Sequence, residues 1–285
     1  MRSPLFLIGT QRSGTTLLTK MLSAHKDIYV KNEVPVLKVF TPGASRKDIE
    51  HAIDGFIKEG TGKSIEALLQ SENKSVWGLK DPQLTEHLEA LKQFAPDVGF
   101  IIITRDARAV VRSYIENAWG LGTNCYTGAL RWRDEVQAQL DFEKEKQGHV
   151  MRLRYEDLVL QQRESLEKIC AFIGVPFDEA AMNYNEQKTF VTKKRESINT
   201  FKAPDPAIIT KWKSQLTDHQ VGVINGVCGD LLDQLGYSDT QNRIQLPGVS
   251  QAYYRMHQAV VGEFQIQYRW RIGRYKRAVN GWLNG

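Results

Sequence analysis

Apolar positions along this chain fall into two rhythms. Short apolar runs occur at Leu5–Ile8 and Val98–Thr104, with weaker ones at Ile28–Val30, Ser75–Leu79 and Val150–Leu153. Runs this short and without alternation mark strands buried on both faces. Between them, apolar residues recur at helical spacing: Leu17, Leu18, Met21 and Leu22, then Val110, Val111, Tyr114 and Ile115. Further helical patterns lie at 83–94 and around 163–173, 205–214 and 217–235. Strands alternating with helices predict right-handed βαβ units. The expected fold is α/β, with a central parallel sheet of about five strands and helices on both faces. Residues 185–206 lack periodicity and read as a long basic loop, in which Lys193, Lys194 and Arg195 are either a solvated run or part of a lid.

The C-terminal residues keep a different period. Tyr254, Val261, Tyr268, Tyr275 and Trp282 recur every seven residues, with Phe264, Ile272 and Val279 beside them. This predicts a long amphipathic helix with an aromatic seam. The chain therefore divides into a main domain, 1–242, and a basic, aromatic-rich helical tail, 243–285. The tail is expected to pack on the body or on a second copy in a homodimer. Peripheral contact with a membrane is the alternative, because basic and Trp/Tyr-rich helices suit an interface. Nucleic acid is not an expected partner, since the body shows no accompanying basic motif.

Charge changes this picture only once it is located. The net +5 of the 285 residues resides in the tail, where seven Lys/Arg from Arg243 onward face one acid, Glu263. An anion site in the body must therefore be built residue by residue. Cys125, Cys170 and Cys228 are widely spaced and odd in number, which argues against a disulfide framework or zinc site. No apolar stretch approaches the roughly 20 residues that cross a bilayer, and the N-terminal run is too short for an export signal. A cytoplasmic protein is expected, at most peripheral at a membrane.

The first strand ends in Gly9-Thr10-Gln11-Arg12-Ser13-Gly14-Thr15-Thr16 and leads into a helix. This has the mechanics of a P-loop: glycines turn the backbone tightly, and N–H groups at the helix start converge on one anion. The lysine of nucleotide triphosphatases is missing, Thr15 standing in its place. Arg12 and the hydroxyls of Ser13, Thr15 and Thr16 crowd the turn and favour an anion over an empty turn. Arg105 ends the strongest strand, with Ser113 two turns into the next helix. Ligands of open α/β sheets gather at such strand ends. Two anion sites there suit a nucleotide phosphorylated at both 5′ and 3′ positions, although Arg105 taken alone reads better as a salt-bridge partner of Asp106 or an exposed helix-start charge.

These residues resemble the PAPS-dependent sulfotransferase family, PAPS being 3′-phosphoadenosine 5′-phosphosulfate. The resemblance is carried by Gln11 through Leu18 and by Arg105-Asp106-x-Arg108 with Ser113. Leu22 through His25 before Asn32-Glu33, Lys80-Asp81-Pro82, Arg154 through Leu158, Ser197, and Lys211-Trp212 extend it over residues 4–237. It is closest to the tyrosylprotein sulfotransferase branch and its bacterial relatives. It implies a P-loop-type three-layer sandwich, a PAPS donor and no metal. Arg12, Ser13, Gly14, Thr15 and Thr16 would hold the 5′-phosphosulfate, Arg105 and Ser113 the 3′-phosphate, with Tyr155 and Lys211 as further nucleotide contacts. Glu33 would be the catalytic base, while Lys80 and Ser197 would stabilise the transition state. Two positions depart from the family pattern: Pro35 replaces an arginine that grips acidic peptides, and Asn117 replaces a further nucleotide-binding arginine. The tyrosylprotein enzymes are also membrane-anchored and lumenal.

The expected function is in-line sulfuryl transfer from PAPS to a hydroxyl, with Glu33 as general base. The acceptor is a saccharide or glycolipid, a small molecule or a protein tyrosine, lined by residues 34–70, 119–130 and 185–206. A P-loop nucleotide kinase and a non-catalytic nucleotide-binding protein are the competing classes. His25 reads as a helix-end residue and His87 as a surface one, rather than as bases.

Overall fold

The computed structural model describes residues 4–94, 98–186 and 203–272. It divides into two compact units. The first holds the chain up to Arg105 together with Glu135–Pro206, and the second holds Asp106–Asp134 together with the chain from Ala207.

The sheet of the first unit is parallel throughout and comprises β1 (Leu5–Ile8), β2 (Ile28–Asn32), β3 (Val76–Lys80), β4 (Gly99–Thr104) and β5 (Val150–Arg154). The strand order is β2-β3-β1-β4-β5, so the chain starts in the middle and winds to both edges. Phe6 pairs with Leu79 and Phe100, and Ile8 with Ile102. Side chains in register share a face, and these five join one buried core with Trp77, Phe94 and Phe142. Burying each such side chain contributes about 1.5–3 kcal/mol. All the strands expected from the apolar runs are present, because runs buried on both faces leave little else for those residues to do.

Residues 34–70, expected to line an acceptor pocket, hold three helices not anticipated from the sequence: Val36–Val39, Arg46–Thr61 and Ile65–Ser71. Arg46–Thr61 sends Ile49, Ile53 and Ile57 into the core. Its polar composition hides the stripe, but its start is written in a capping box. The Ser45 hydroxyl accepts from the Asp48 N–H while Asp48 accepts from the Ser45 N–H. The Ser45 hydroxyl also donates to the Asp48 carboxylate (2.7 Å), and this bond, with that from the Ser45 N–H (2.9 Å), holds the Asp48 carboxyl below its ordinary value. Another helix not anticipated, Cys125–Glu145, buries Ala129, Trp132, Val136 and Leu140. The pattern at 83–94 breaks into short 3₁₀ and α turns, Leu84–His87, Leu88–Leu91 and Lys92–Phe94.

The second unit is helical among its described residues. Ala107–Asn117, the N-terminal part of Cys125–Glu145 and Asp218–Gln234 bury Val110, Val111, Trp132, Ile224 and Leu232. Cys228 donates its thiol hydrogen to the Ala129 carbonyl (3.3 Å), and burial pushes its pKa upward. All three cysteines are free and buried. The tail forms Gly248–His257 followed by a π turn at Gln258–Gly262. It packs on residues 119–127 of its own unit through polar side chains. The Thr123 N–H donates to Gln258 Oε1 (2.8 Å), the Gly120 N–H to Gln265 Oε1 (2.9 Å), and Asn124 Nδ2 to the Tyr254 carbonyl (3.0 Å). The aromatic seam is half-buried at Tyr254 and Val261 but exposed at Tyr268. Tyr275 and Trp282 lie outside the described residues.

Candidate functional site

The parallel register brings the carboxyl ends of the central strands to one edge. Leu7 pairs with Lys80 and Ile101, and Asn32 with Lys80. The β1 loop, Glu33 and Lys80 therefore share the edge where open α/β sheets bind ligands.

The β1 loop is tightened by bonds from the Ser13 N–H to the Thr10 carbonyl and the Leu18 N–H to the Gly14 carbonyl, both 3.1 Å. Arg12 and Gly14 take left-handed conformations, with φ of 72° and 105°. Glycine is required at 14 for a second reason: a Cβ there would stand 2.3 Å from the Tyr155 ring. The helix Thr15–Ala24 begins with no side-chain cap and no acid in its first turn. Its leading N–H groups and positive dipole end are thus left for an anion. Ser13 Oγ is buried with no hydrogen-bond partner among the described residues. Such a hydroxyl costs about 1–3 kcal/mol, which a bound oxyanion would offset. The loop from Arg12 to Thr16 therefore fits a bound oxyanion.

Arg105 ties this loop to the ends of β4 and β5. Its Nη1 donates to the Arg12 carbonyl (3.2 Å), and its guanidinium carbon lies 4.3 Å from the centroid of the Tyr155 ring. Tyr155 follows β5 directly and opens the helix Tyr155–Leu160. Burial raises its phenol pKa, with Arg105 pulling the other way, so the hydroxyl stays protonated near neutrality.

Glu33 follows β2 with φ 59°, a conformation costing a non-glycine residue about 1–3 kcal/mol. Its N–H donates to the Lys80 carbonyl (2.7 Å), and the next N–H, of Val34, donates to Asp81 Oδ2 (3.2 Å). Lys80 Nζ reaches Glu33 Oε1 at 3.2 Å. The lysine side chain is 3% exposed and the glutamate 42%, so a buried cation meets a carboxylate open to solvent. A solvent-facing carboxylate beside a buried cation, at the end of the strand paired with β1, has the chemistry to take a proton from a hydroxyl and to neutralise a leaving oxygen.

Residues 4–179 match the family profile described as Sulfotransferase family. The chain belongs to the sulfotransferase family. Protein-tyrosine sulfotransferase A of Caenorhabditis elegans is 24% identical over 268 residues, covering 84% of this chain and 68% of that one. The sulfotransferase domain of a Synechococcus olefin synthase shares the fold with a TM-score of 0.60 at 21% identity, covering 83% of this chain and 96% of that domain. A mouse sulfotransferase complexed with PAP gives a TM-score of 0.50 at 17% identity, with 82% of each chain covered.

The tyrosine-sulfotransferase relatives, human and zebrafish among them, correct one expectation. They belong to the branch whose members are membrane-anchored and lumenal, which overturns the cytoplasmic assignment made from composition. Among the described residues no helix is long and apolar enough to cross a membrane.

The sulfotransferase residues beyond this edge are placed as follows. Ser113 and Lys211 belong to the second unit. Ser113 is buried, and Asn117 donates its amide to both the Ser113 Oγ (3.0 Å) and carbonyl (2.6 Å). Lys211 is exposed and precedes Trp212, whose ring stacks on Arg108 at 4.2 Å. Arg108 in turn pairs with Asp106, through Nη2 at 2.7 Å and Nε at 2.9 Å. Ser197 and the run Lys193–Arg195 lie outside the described residues. His25 is structural: its Nε2 bonds the Pro176 carbonyl (2.9 Å), and Nδ1 accepts from the Asp27 N–H (3.0 Å). His87 stacks half-buried on Phe40 (5.0 Å) rather than standing at the surface. Sequence reasoning assigned no role to Asp81, Arg108 or Asn117, although the first two were visible inside family motifs.

Proposed function

We propose that this chain transfers a sulfuryl group from PAPS to an acceptor hydroxyl, with Glu33 as general base. The observation that carries the reading is the Glu33–Lys80 pair, 3.2 Å apart at strand ends beside an anion loop. The PAP complex of the mouse neighbour supports the donor by analogy. PAPS supplies the sulfuryl group and a phosphate leaving group. The uncapped helix start and the Ser13 hydroxyl hold the 5′ end, and Arg105 with Tyr155 receives a further part of the nucleotide. Glu33 takes the acceptor proton. Lys80, kept dry, neutralises charge on the departing oxygen and orients Glu33 in the meantime.

On the acceptor, the relatives' names favour tyrosine, whereas the missing arginine at Pro35 argues against an acidic peptide. Pro35 caps the short helix Val36–Val39, its carbonyl accepting from Lys38 N–H (2.8 Å) and Val39 N–H (3.2 Å). An uncharged proline stands in the place of the family's peptide-gripping arginine. We therefore favour hydroxyls in neutral surroundings: saccharide or glycolipid first, then small molecules, then tyrosine.

Labelled PAPS offered with saccharides, glycolipids, phenols and tyrosine peptides tests this. Wild type is expected to label at least one class, and Glu33→Gln to lose about 10²–10⁴-fold in turnover with nucleotide binding retained. Transfer indifferent to Glu33→Gln, or phosphoryl transfer from Mg-ATP in its place, contradicts the proposal.

A further inference from the structure

We propose that Asp81 is the positioning residue that holds Glu33 in its working conformation, an inference that rests on reading Glu33 as the base. Glu33 sits in left-handed backbone, φ 59°, without the freedom of a glycine. Something must hold it there, and the bonds on either side of it lead to one dipeptide. The Lys80 carbonyl accepts the Glu33 N–H (2.7 Å), and the Asp81 carboxylate accepts the Val34 N–H (3.2 Å). The amide entering Glu33 and the amide leaving it are thus fixed by consecutive residues at the end of β3.

Asp81 is itself immobilised. It is 4% exposed, and its other oxygen, Oδ1, accepts the Gln83 N–H (2.9 Å), so each carboxylate oxygen has a backbone donor. Pro82 follows Asp81 and stiffens the turn by fixing its own φ. Burial raises the Asp81 carboxyl pKa while the two backbone bonds and Lys80 lower it. A core filler would not need a carboxylate here. Two acceptors of fixed geometry are what a strained neighbour requires. Lys80 touches Glu33 by side chain and backbone, while Asp81 contacts the adjoining backbone. The consecutive pair thereby ties the electrostatic partner and the backbone clamp of the base to the same strand end.

Asp81→Asn keeps the shape and one acceptor oxygen and removes the other. Two readouts independent of turnover decide. Amide exchange at Val34 is expected to quicken at least tenfold in Asp81→Asn, with exchange in the core of β1 and β4 unchanged. Carbon-13 titration of the Glu33 carboxyl reads the pairing directly. In the wild-type background Lys80→Met is expected to raise its midpoint, and in the Asp81→Asn background to leave it unmoved. Val34 exchange and Glu33–Lys80 coupling both unaltered by Asp81→Asn would overturn the proposal. Should that variant unfold, Asp81→Glu serves: the extra methylene moves the carboxylate off the Val34 N–H, and quickened Val34 exchange with loss of the Glu33–Lys80 coupling is again the expected pair of results. Failure of the base itself shows separately, as full turnover in Glu33→Gln with the Asp81 clamp intact.

Discussion

Two strand ends of the first unit carry a non-glycine residue in left-handed backbone, Arg12 at φ 72° and Glu33 at φ 59°, and they are held in opposite ways. Around Arg12 the helix start lacks a side-chain cap, and Ser13 Oγ is buried without a partner among the described residues. Around Glu33 the backbone donors are claimed: its own by Lys80, the next by Asp81. The first corner has bonding capacity to give to a ligand. The second spends its capacity on keeping one carboxylate in place. On the proposed function, the loop that binds and the loop that reacts differ in where their N–H groups go.

The most severe way to break this comparison is Lys80→Met. It removes the buried cation opposite Glu33 and is expected to lower turnover by about 10²–10³-fold, with nucleotide affinity little changed. Equal losses in both would place Lys80 in the binding corner instead. Gly14→Ala attacks the first corner. Its φ of 105° and the 2.3 Å approach to Tyr155 predict a loss of about 1–3 kcal/mol in stability and a matching weakening of nucleotide binding. Denaturant melts with and without nucleotide would check both.

A third helix start sharpens the contrast. Arg46–Thr61 is closed by its own capping box, so Ser45→Ala is expected to cost about 1 kcal/mol, or about 2–4 °C in Tm. Turnover and nucleotide binding should not respond. The smallest expected effect is a drift with pH. Burial raises the Asp81 carboxyl, so the folded chain holds that proton more tightly than the unfolded one. Its ionisation then subtracts stability as pH climbs from the ordinary carboxylate value through the raised one. Over that window the Tm of Asp81→Asn should gain on wild type and then run parallel to it.

Much of this was readable in the sequence, and unevenly. The strands declared themselves because double burial leaves only apolar residues. The anion loop did so because Gly9, Gly14 and the hydroxyls between them have few other uses together. The helix Arg46–Thr61 did not, since one isoleucine per turn is a faint stripe among charges, although Ser45 with Asp48 marked its start. Glu33 and Lys80 were nameable separately, but their pairing was not. It depends on the β2–β3 register that sets Asn32 beside Lys80 across 47 residues of chain. Asp81 was visible only as a letter in a motif, because a backbone acceptor leaves no spacing signal. Compartment was misread because composition records how a chain is solvated and not where it is sent.

The most direct test is calorimetric binding of adenosine 3′,5′-bisphosphate and of ATP, with and without Mg²⁺, to wild type and to Arg105→Ala. The account predicts metal-independent binding of the bisphosphate that falls at least tenfold in Arg105→Ala. A preference for Mg-ATP, or bisphosphate binding indifferent to Arg105, would contradict it.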